Sequence, residues 1–286
     1  MAISYASNTQ TLSSINKLNQ ATNSLSQTFQ RLSSGLRINK ASDDPAGLHV
    51  ADKLRTDARI AAVAIRNAND GISLTSIADA ALQEISNVLG RMAELAEQSS
   101  NGIFTTAQRS ALSTEFIALG SEVERIAQVT EFNNLTLLSG SSSIAFQVGL
   151  TGGANSLITI TSVLGTLASL GLAGVGQSSL SYSILTTTAT GSQSASQLAL
   201  NAVTSAINIL TNNRGTLGAA ESRLSHAINF LTVTRENFIA AESRIRDIDV
   251  AEESATLTRL TILQQAATAI VAQANQQPQL VLSLLR

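Results

Sequence analysis

The chain has 286 residues, of which 44% are hydrophobic, 13% charged and only 3% aromatic, and its formal net charge is −2. So small a net charge excludes a bulk attraction to nucleic acid or to an anionic membrane, and the absence of Cys excludes disulfide bonds and thiolate metal sites. The start of the chain shows no signal-peptide pattern. The longest nearly apolar run, residues 164–176, is shorter than the roughly 20 residues of a membrane-spanning helix, so no membrane insertion is expected.

The first block of the sequence predicts an amphipathic helix. Leu18, Leu25 and Leu32 recur with a seven-residue period, which is typical of coiled-coil helices. Other residues interleave with these leucines to complete a stripe on one predicted face: Ile15, Thr22, Phe29 and Leu36. Gly35 is a predicted helix stop, because glycine is common just beyond a helix C-terminus.

Two further helices are predicted before residue 130. Asp44 and Pro45 indicate a helix start, as the N-cap and the first helical residue, and Asn101-Gly102 ends that block. Its apolar stripe is Leu74, Ala78, Ala81, Ile85, Val88, Met92 and Leu95. Thr105 and Gln108 have the spacing of a capping box and predict the start of a third helix. Its stripe is Leu112, Phe116, Leu119, Val123 and Ile126.

The middle of the chain has a different composition. No Asp, Glu, Lys or Arg occurs between Phe132 and Asn213. Residues 144–149 and part of 157–161 alternate apolar and polar residues on either side of a stretch rich in turn formers, which predicts a β-hairpin. Residues 162–195 are rich in Ser, Thr and Gly and are interpreted as loop and short irregular structure.

The last third of the chain predicts a long helix and then a second one in a shifted register. The first has a strict seven-residue repeat: Val203, Leu210, Leu217, Leu224, Leu231, Phe238 and Ile245. The repeat breaks at residues 246–253 and restarts one residue out of phase. The new stripe consists of Leu260, Leu263, Ala267, Ile270, Ala274, Gln277, Val281 and Leu284.

Both chain ends are therefore predicted to be amphipathic helices with few charges. An apolar stripe on a helix of about 30 residues runs for about 45 Å, and two paired helices leave part of it uncovered. Such pairs are marginally stable alone and gain stability when they stack on neighbours. The sequence thus predicts a mainly α, coiled-coil protein that associates with itself and whose termini become ordered on assembly.

Long strings at both ends of the chain match a known family pattern. On the N-terminal side they are LNQATNSLSQTFQRLSSGLRINKASDDPAGLHVADKLR (18–55) and NANDGISL (67–74). On the C-terminal side they are NNRGTLGAAESRLSHAINFL (212–231), SRIRDIDVAEE (243–253) and ILQQAATAIVAQANQQPQLVLSLLR (262–286). These strings resemble those of the bacterial flagellins. The resemblance implies a short flagellin that lacks the outer variable domains, with long antiparallel coiled-coil helices in domains D0 and D1 and a small β-hairpin region in D1.

The family's domains are expected at specific places in this sequence. Residues 1–42 and 246–286 resemble the two helices of D0, which line the channel of the filament in the family. Residues 43–245 resemble D1, with its β-hairpin near 132–161 and a short variable segment at 162–195. The residues expected to carry polymerisation through the D0 coiled coil are Leu18, Leu25, Phe29, Leu32, Leu260, Leu263, Ile270, Val281 and Leu284.

The resemblance implies a structural subunit that assembles into the flagellar filament for motility and lies outside the cell. It implies export of the unfolded chain by the flagellar type III apparatus, without a general secretory signal. The implied partners are further copies of the chain, a chaperone on the C-terminal helix, the filament cap and the hook-junction proteins. No catalytic activity, metal or cofactor is expected, and His49 and His226 stand apart on different predicted helices.

In several flagellins a D1 face is contacted by Toll-like receptor 5, and residues 90–98 and 114–126 resemble that face. Arg91, Leu95 and Glu115 match the receptor-contacting positions, whereas Glu97 departs from the commoner residue. The ordinary alternative is that Leu95 is a core residue and that the other two form weak surface pairs.

A cluster of charges near residue 246 also has two interpretations. In the first, salt bridges between subunits at the D0–D1 junction are expected from Arg244, Arg246, Asp247 and Asp249. In the second, Asp247 or Asp249 is expected to cap a helix that restarts there. For the chain as a whole, a hook–filament junction protein and an adhesin are the alternatives to a filament subunit. The terminal string VLSLLR and the string QANQQPQ favour the flagellin interpretation over the junction protein.

Overall fold

A computed structural model describes residues 9–140 and 143–284, without the side chains of Gln10, Ala189 and residues 277–284. The elements are α1 (Thr9–Ser34), α2 (Pro45–Ser100), α3 (Thr106–Val129), β1 (Glu131–Phe132), β2 (Leu135–Thr136), β3 (Ile144–Gln147), β4 (Leu157–Ile160), α4 (Ala189–Arg246) and α5 (Val250–Leu284). A short 3₁₀ helix, Ala154–Ser156, precedes β4. The prediction of a mainly α protein with long helices and a small hairpin region is confirmed.

The chain divides into two compact units. Met1–Ala58 and Glu236–Arg286 form the first, here called the terminal unit, and Arg59–Arg235 forms the second, the central unit. The predicted D0–D1 boundaries, after residue 42 and before residue 246, fall in or beside the connections at the ends of α1 and α4. Those boundaries stay a prediction.

Helices α1 and α5 of the terminal unit pair in antiparallel orientation. Gln264 Nε2 donates a hydrogen bond to Thr22 Oγ1 over 3.2 Å near the middle of both helices. At the end of α1, the backbone pairs with the connection between α4 and α5: Arg37 N donates to Arg246 O, and Ile248 N donates to Gly35 O. The Arg37 guanidinium also donates to Ile245 O over 2.6 Å, so it satisfies a carbonyl at the end of α4.

The predicted apolar stripe of α1 is only half correct. Leu18, Leu25 and Leu32 are half-buried, as expected for the seam with α5, but Ile15, Thr22 and Phe29 are exposed. The residues that interleave with the leucines on the inner face are small instead: Ser14, Ala21 and Thr28. Small side chains at a helix contact permit a short interaxial distance, and Ile15 and Phe29 lie outside the seam.

Helix α5 shows the same division. Its half-buried face consists of Leu257, Leu260, Gln264, Ala267, Val271 and Ala274. Leu263 and Ile270, predicted to share one stripe with Leu260, are exposed instead. The predicted stripe therefore mixes an inner face, which packs on α1, with an outer face. Val281 and Leu284 lie among the residues whose side chains are not described.

The connection between α1 and α2 is fixed by local hydrogen bonds. Gly35 ends α1 with φ +71°, the left-handed conformation that glycine adopts readily, which confirms the predicted stop. Asp44 Oδ1 accepts a hydrogen bond from Gly47 N over 2.9 Å, which confirms Asp44 as the N-cap of α2. Asp43 Oδ2 accepts hydrogen bonds from the backbone N–H groups of Lys40 and Asn39.

The carboxylate of Asp43 makes this connection sensitive to acid. The Lys40 and Asn39 N–H groups hold the pKa of Asp43 below its ordinary value of 3.8. Because the folded-state pKa is lowered, the stabilisation is present above the unfolded pKa and is lost as the pH falls through the folded pKa. We expect a carboxyl titration by NMR to place Asp43 below 3.8, with a parallel loss of amide protection at Lys40. An ordinary or raised pKa would contradict this assignment.

In the central unit, α2, α3 and α4 contribute to one apolar core. The predicted capping box at the start of α3 is confirmed, with Gln108 N donating to Thr105 Oγ1 and Thr105 N donating to Gln108 Oε1. The largest fully buried apolar side chains are Leu82, Ile85, Leu89, Met92, Leu95, Phe116, Leu138, Leu167, Leu170, Leu172 and Ile184. Arg214 of α4 binds Asp79 of α2 in a bidentate pair, with Nε 2.7 Å from Oδ1 and Nη2 3.2 Å from Oδ2.

Two antiparallel hairpins follow α3. Strands β1 and β2 are joined by Asn133 and Asn134, whose φ values of +49° and +66° suit a tight hairpin turn and are tolerated by asparagine. Strands β3 and β4 pair with Ile144 opposite Ile160 and Gln147 opposite Leu157. The second pair confirms the hairpin that the alternating pattern predicted.

The interpretation of residues 162–195 as loop and short irregular structure is confirmed for residues 162–188 and is wrong for the last residues of the range. Helix α4 begins at Ala189, so the last residues of that range are helical. The preceding irregular segment is also an integral part of the core: it contributes Leu167, Leu170, Leu172 and Ile184, all fully buried. Single hydrogen bonds hold it in place, including Leu167 N to Glu124 Oε2 over 2.9 Å and Ser99 Oγ to Ile184 O over 3.1 Å.

Candidate assembly surface

Exposed apolar side chains lie on both of the paired helices of the terminal unit. On α1, the exposed fractions are 62% for Leu12 and 63% for Phe29. On α5 they are 60%, 50% and 58% for Ile262, Leu263 and Ile270. Ile15 and Phe29 lie fourteen residues apart, two heptads, and therefore share one side of α1. We call these six exposed residues, Leu12, Ile15, Phe29, Ile262, Leu263 and Ile270, the outer stripe.

The outer stripe is accompanied by few charges. Along α1 the charged residues are Lys17 and Arg31, and along α5 after Glu253 the sole charged residue is Arg259. Exposed apolar surface beyond what isolated side chains provide often marks an interaction site on a monomer. The predicted polymerisation residues divide accordingly: Leu18, Leu25, Leu32 and Leu260 lie in the α1–α5 seam, and Phe29, Leu263 and Ile270 lie in the outer stripe.

The predicted receptor face is a surface ion-pair cluster above a buried leucine. Arg91 Nε lies 2.9 Å from Glu115 Oε1, and Arg91 Nη1 lies 2.9 Å from Glu94 Oε2. Glu94 and Glu115 raise the pKa of Arg91, chiefly through their hydrogen bonds. Leu95 is fully buried in the core, which favours the ordinary alternative for this residue, because a buried side chain offers no surface to a receptor.

The charge cluster near residue 246 contains the predicted helix cap and also an ion pair within the chain. Asp249 Oδ1 accepts from the backbone N–H groups of Ala251 and Glu252, so it caps α5 as one interpretation proposed. Asp247 accepts from Ser243 Oγ over 2.6 Å, and the Arg244 side chain is exposed. Arg246 pairs within the chain with Asp52 at 3.5 Å, a partner that no local sequence pattern indicated.

The structure also locates the groups considered for chemistry. His49 and His226 are both exposed. Among residues 9–140 and 143–284, no three or more His, Asp or Glu side chains lie close enough to hold a metal ion. Within the same described part of the chain, none of the helices has the length and apolar character needed to cross a membrane.

Two family models match the chain. The bacterial flagellin N-terminal helical region matches residues 5–143, and the bacterial flagellin C-terminal helical region matches residues 200–285. The chain belongs to the bacterial flagellins. It is a short member of that family, in which residues 144–199 connect the two matched regions without a large outer insertion.

Individual relatives agree with this assignment. The flagellin of Halalkalibacterium halodurans is 42% identical over 259 residues, which cover 90% of each chain. The flagellar filament 33 kDa core protein of Treponema phagedenis is 36% identical over 276 residues, which cover 92% of this chain and 93% of that protein. A structure of a putative flagellar hook-associated protein from Vibrio parahaemolyticus has a TM-score of 0.58 at 15% identity, over 72% of this chain and all of that one, and shows likeness of fold alone.

Family membership sets the general role of the protein. Flagellins are structural proteins that form the flagellar filament, an extracellular appendage for motility, and this chain is such a subunit.

The sequence did not reveal which residues of each terminal helix face inward, because the seven-residue period fits two adjacent rows of residues equally well. The signal available in the sequence was the small size of Ser14, Ala21 and Thr28, which suits a close helix contact.

Proposed function

We propose that the chain polymerises through the outer stripe of its terminal unit, with further copies of the same chain as the partners. The observation that carries this proposal is the exposure of Leu12, Phe29 and Leu263 on a unit in which α1 and α5 already cover each other's inner faces. Burial of apolar surface contributes about 25 cal/mol per Å², so these side chains supply a driving force for stacking. In this arrangement the terminal unit corresponds to D0 and the central unit to D1.

The proposed seam and stripe have different tasks. Helix α1 is held to α5 within one subunit by the seam residues Leu18, Leu25, Leu32 and Leu260. Neighbouring subunits are contacted by Phe29, Leu263 and Ile270. We extend the same proposal to Val281 and Leu284, which continue the heptad pattern of α5. Salt bridges between subunits near Arg244 and Arg246 stay part of the proposal, with the exposed Arg244 as the residue available for them.

We also propose that the unfolded chain is exported by the flagellar type III apparatus and adds to the filament beneath the cap, beyond the hook-junction proteins. A chaperone on the C-terminal helix would bind the face that contains Leu260, Leu263, Ala267 and Ile270. Two of these four side chains, Leu260 and Ala267, are half-buried in the folded chain. The chaperone complex is therefore expected to form before α5 packs on α1. No catalytic role is part of this proposal.

Filaments taken from the bacterium that makes this protein provide the test of the proposed function. Mass spectrometry of sheared, washed filaments is expected to find this chain as a subunit, and deletion of its gene is expected to reduce filament length and swimming. A chain confined to the short zone between hook and filament would indicate a junction protein. Binding of the monomer to host cells without incorporation into filaments would indicate an adhesin.

Recognition by Toll-like receptor 5 is proposed for the exposed pair of Arg91 and Glu115. Interface arginines are often among the few residues that dominate binding energy, so Arg91→Ala is expected to lower receptor signalling by about tenfold or more. Arg66→Ala is the matched control, because Arg66 is also an exposed arginine on α2 but lies outside residues 90–98 and 114–126. Equal signalling by the Arg91 variant and the wild-type monomer would contradict the proposed contact.

A further inference from the structure

The turn after α2 contains the sole Asn-Gly pair in the sequence, Asn101-Gly102. Both residues lie beyond the last residue of α2, Ser100, and both are exposed. In an Asn-Gly pair the backbone nitrogen of glycine can attack the side-chain amide carbon of asparagine, because glycine has no Cβ to obstruct the approach. The surroundings of the pair decide whether the folded chain favours or prevents this reaction.

The turn folds the Asn101 side chain back over the Gly102 peptide. Asn101 O accepts a hydrogen bond from Phe104 N over 3.4 Å, which closes the turn. Asn101 Oδ1 accepts a second hydrogen bond from Ile103 N over 3.3 Å, which is the geometry of an Asx-turn. That hydrogen bond holds the carboxamide beside the backbone between Asn101 and Ile103 and polarises its carbonyl, so the amide carbon becomes a better electrophile.

A buried arginine acts on the same peptide group. Arg109 Nη2 donates a hydrogen bond to Asn101 O over 2.9 Å, and the Arg109 residue is only 1% exposed. Asn101 O and the Gly102 nitrogen belong to one amide, so a cation on the oxygen stabilises the anion formed when the nitrogen loses its proton. Within the described residues the Gly102 N–H donates no hydrogen bond, which leaves its proton available to a base from solvent.

We propose that Asn101 is a site of spontaneous deamidation that the fold promotes. Gly102 N loses its proton to hydroxide and attacks Asn101 Cγ, which forms a new C–N bond. Nδ2 takes a proton from water as its bond to Cγ breaks, so ammonia leaves and hydroxide is returned. The resulting succinimide adds one water molecule, and either of two carbonyl groups opens to give aspartate or isoaspartate. The net reaction exchanges ammonia for water and is independent of the role proposed for the outer stripe.

A second pair in the chain serves as an internal comparison. Asp70-Gly71 can form the same succinimide by losing water, but it lies inside α2 and Gly71 is buried. A Cβ at Gly71 would lie 3.0 Å from Leu224 Cδ1, so there is little room for the chain to rearrange. A Cβ at Gly102 would meet only the flexible end of Gln193, 2.9 Å away, so a Gly102→Ala variant is expected to fold.

The folded full chain, incubated at mildly alkaline pH in heavy-oxygen water, provides the test. Peptide mass mapping is expected to show that the Asn101 peptide takes up heavy oxygen before any other asparagine peptide, while the Asp70 peptide remains unlabelled. The rate in the folded chain is expected to equal or exceed the rate in the chain unfolded by urea. A slower reaction in the folded chain would overturn the proposal, because the fold would then protect Asn101.

Two variants separate the chemistry from the fold. Gly102→Ala is expected to slow the reaction by about tenfold in both the folded and the unfolded chain, because the added Cβ obstructs the attack. Arg109→Lys is expected to slow it in the folded chain alone, since the guanidinium contact exists only there. Wild-type rates for folded Arg109→Lys would overturn the role of Arg109, and comparison of the folded and unfolded wild-type chains remains decisive if this variant does not fold.

Discussion

Replacement of Leu263 by Asp is expected to abolish filament growth while the isolated chain keeps its helices. Leu263 is 50% exposed in the monomer, on the outer stripe, so a charge there still contacts water before assembly. Exposed substitutions of this kind change the free energy of unfolding by about 0.5 kcal/mol or less. In the proposed filament the same carboxylate would be buried among apolar side chains, which costs several kcal/mol at each subunit contact.

The measurement is pelleting of the seeded protein, with circular dichroism of the unassembled chain alongside. Gln265→Asp is the matched control, because it adds the same charge to the same helix at an exposed polar position. The control is expected to pellet with filaments, and the Leu263 variant is expected to stay in the supernatant with an unchanged helical spectrum. Normal pelleting of the Leu263 variant would remove this residue from the assembly surface.

Replacement of Leu167 by Ala is expected to destabilise the central unit by about 2–5 kcal/mol, the usual range for leucine removed from a packed core. Leu167 is fully buried although it lies in an irregular segment, and its backbone N–H is held by the Glu124 carboxylate. The loss combines the transfer free energy of the removed atoms with the cost of a cavity in the core. Urea unfolding followed by circular dichroism measures it.

Val175→Ala is the control for this substitution. Val175 lies in the same segment but is fully exposed, so its truncation is expected to change the free energy of unfolding by about 0.5 kcal/mol or less. If both variants unfold at the same urea concentration as the wild type, the segment contributes no packing to the central unit and is a true surface loop. A large effect at Leu167 alone shows that the segment between β4 and α4 is part of the core.

The sequence predicted the helices and their ends well because those signals are local. The cap at Asp44, the stop at Gly35 and the capping box at Thr105 each depend on residues within one turn of the helix end. The alternating pattern of β3 and β4 is also local, and a turn-rich stretch separates the two strands. In each case the side chain that fixes the backbone is a neighbour in sequence.

Contacts that depend on partners far along the chain were not predictable. Arg246 binds Asp52, and Arg214 binds Asp79, across sequence separations that no period or spacing reveals. The buried leucines near residue 170 lie among Gly, Ser and Thr without a regular period, so they lacked the pattern of a core element. Likewise, the choice between Ser14 and Ile15 for the inner face of α1 depends on how closely α5 approaches.

The sequence predicted the two terminal helices, but it did not predict which face of each helix a given residue occupies. Seven of the nine named polymerisation residues have described side chains. Four of those, the leucines at 18, 25, 32 and 260, occupy the seam, whereas Phe29, Leu263 and Ile270 face outward. A repeat of apolar residues indicates that a helix face becomes buried, but it does not distinguish the partner within the chain from a partner in another copy.

The most direct test of the account is negative-stain microscopy of the purified protein after heat depolymerisation and seeding with short filament fragments. The predicted result is long, thin, regular filaments that grow from the seeds and consist of this chain alone. Monomers that persist beside unextended seeds would contradict self-assembly through the terminal unit.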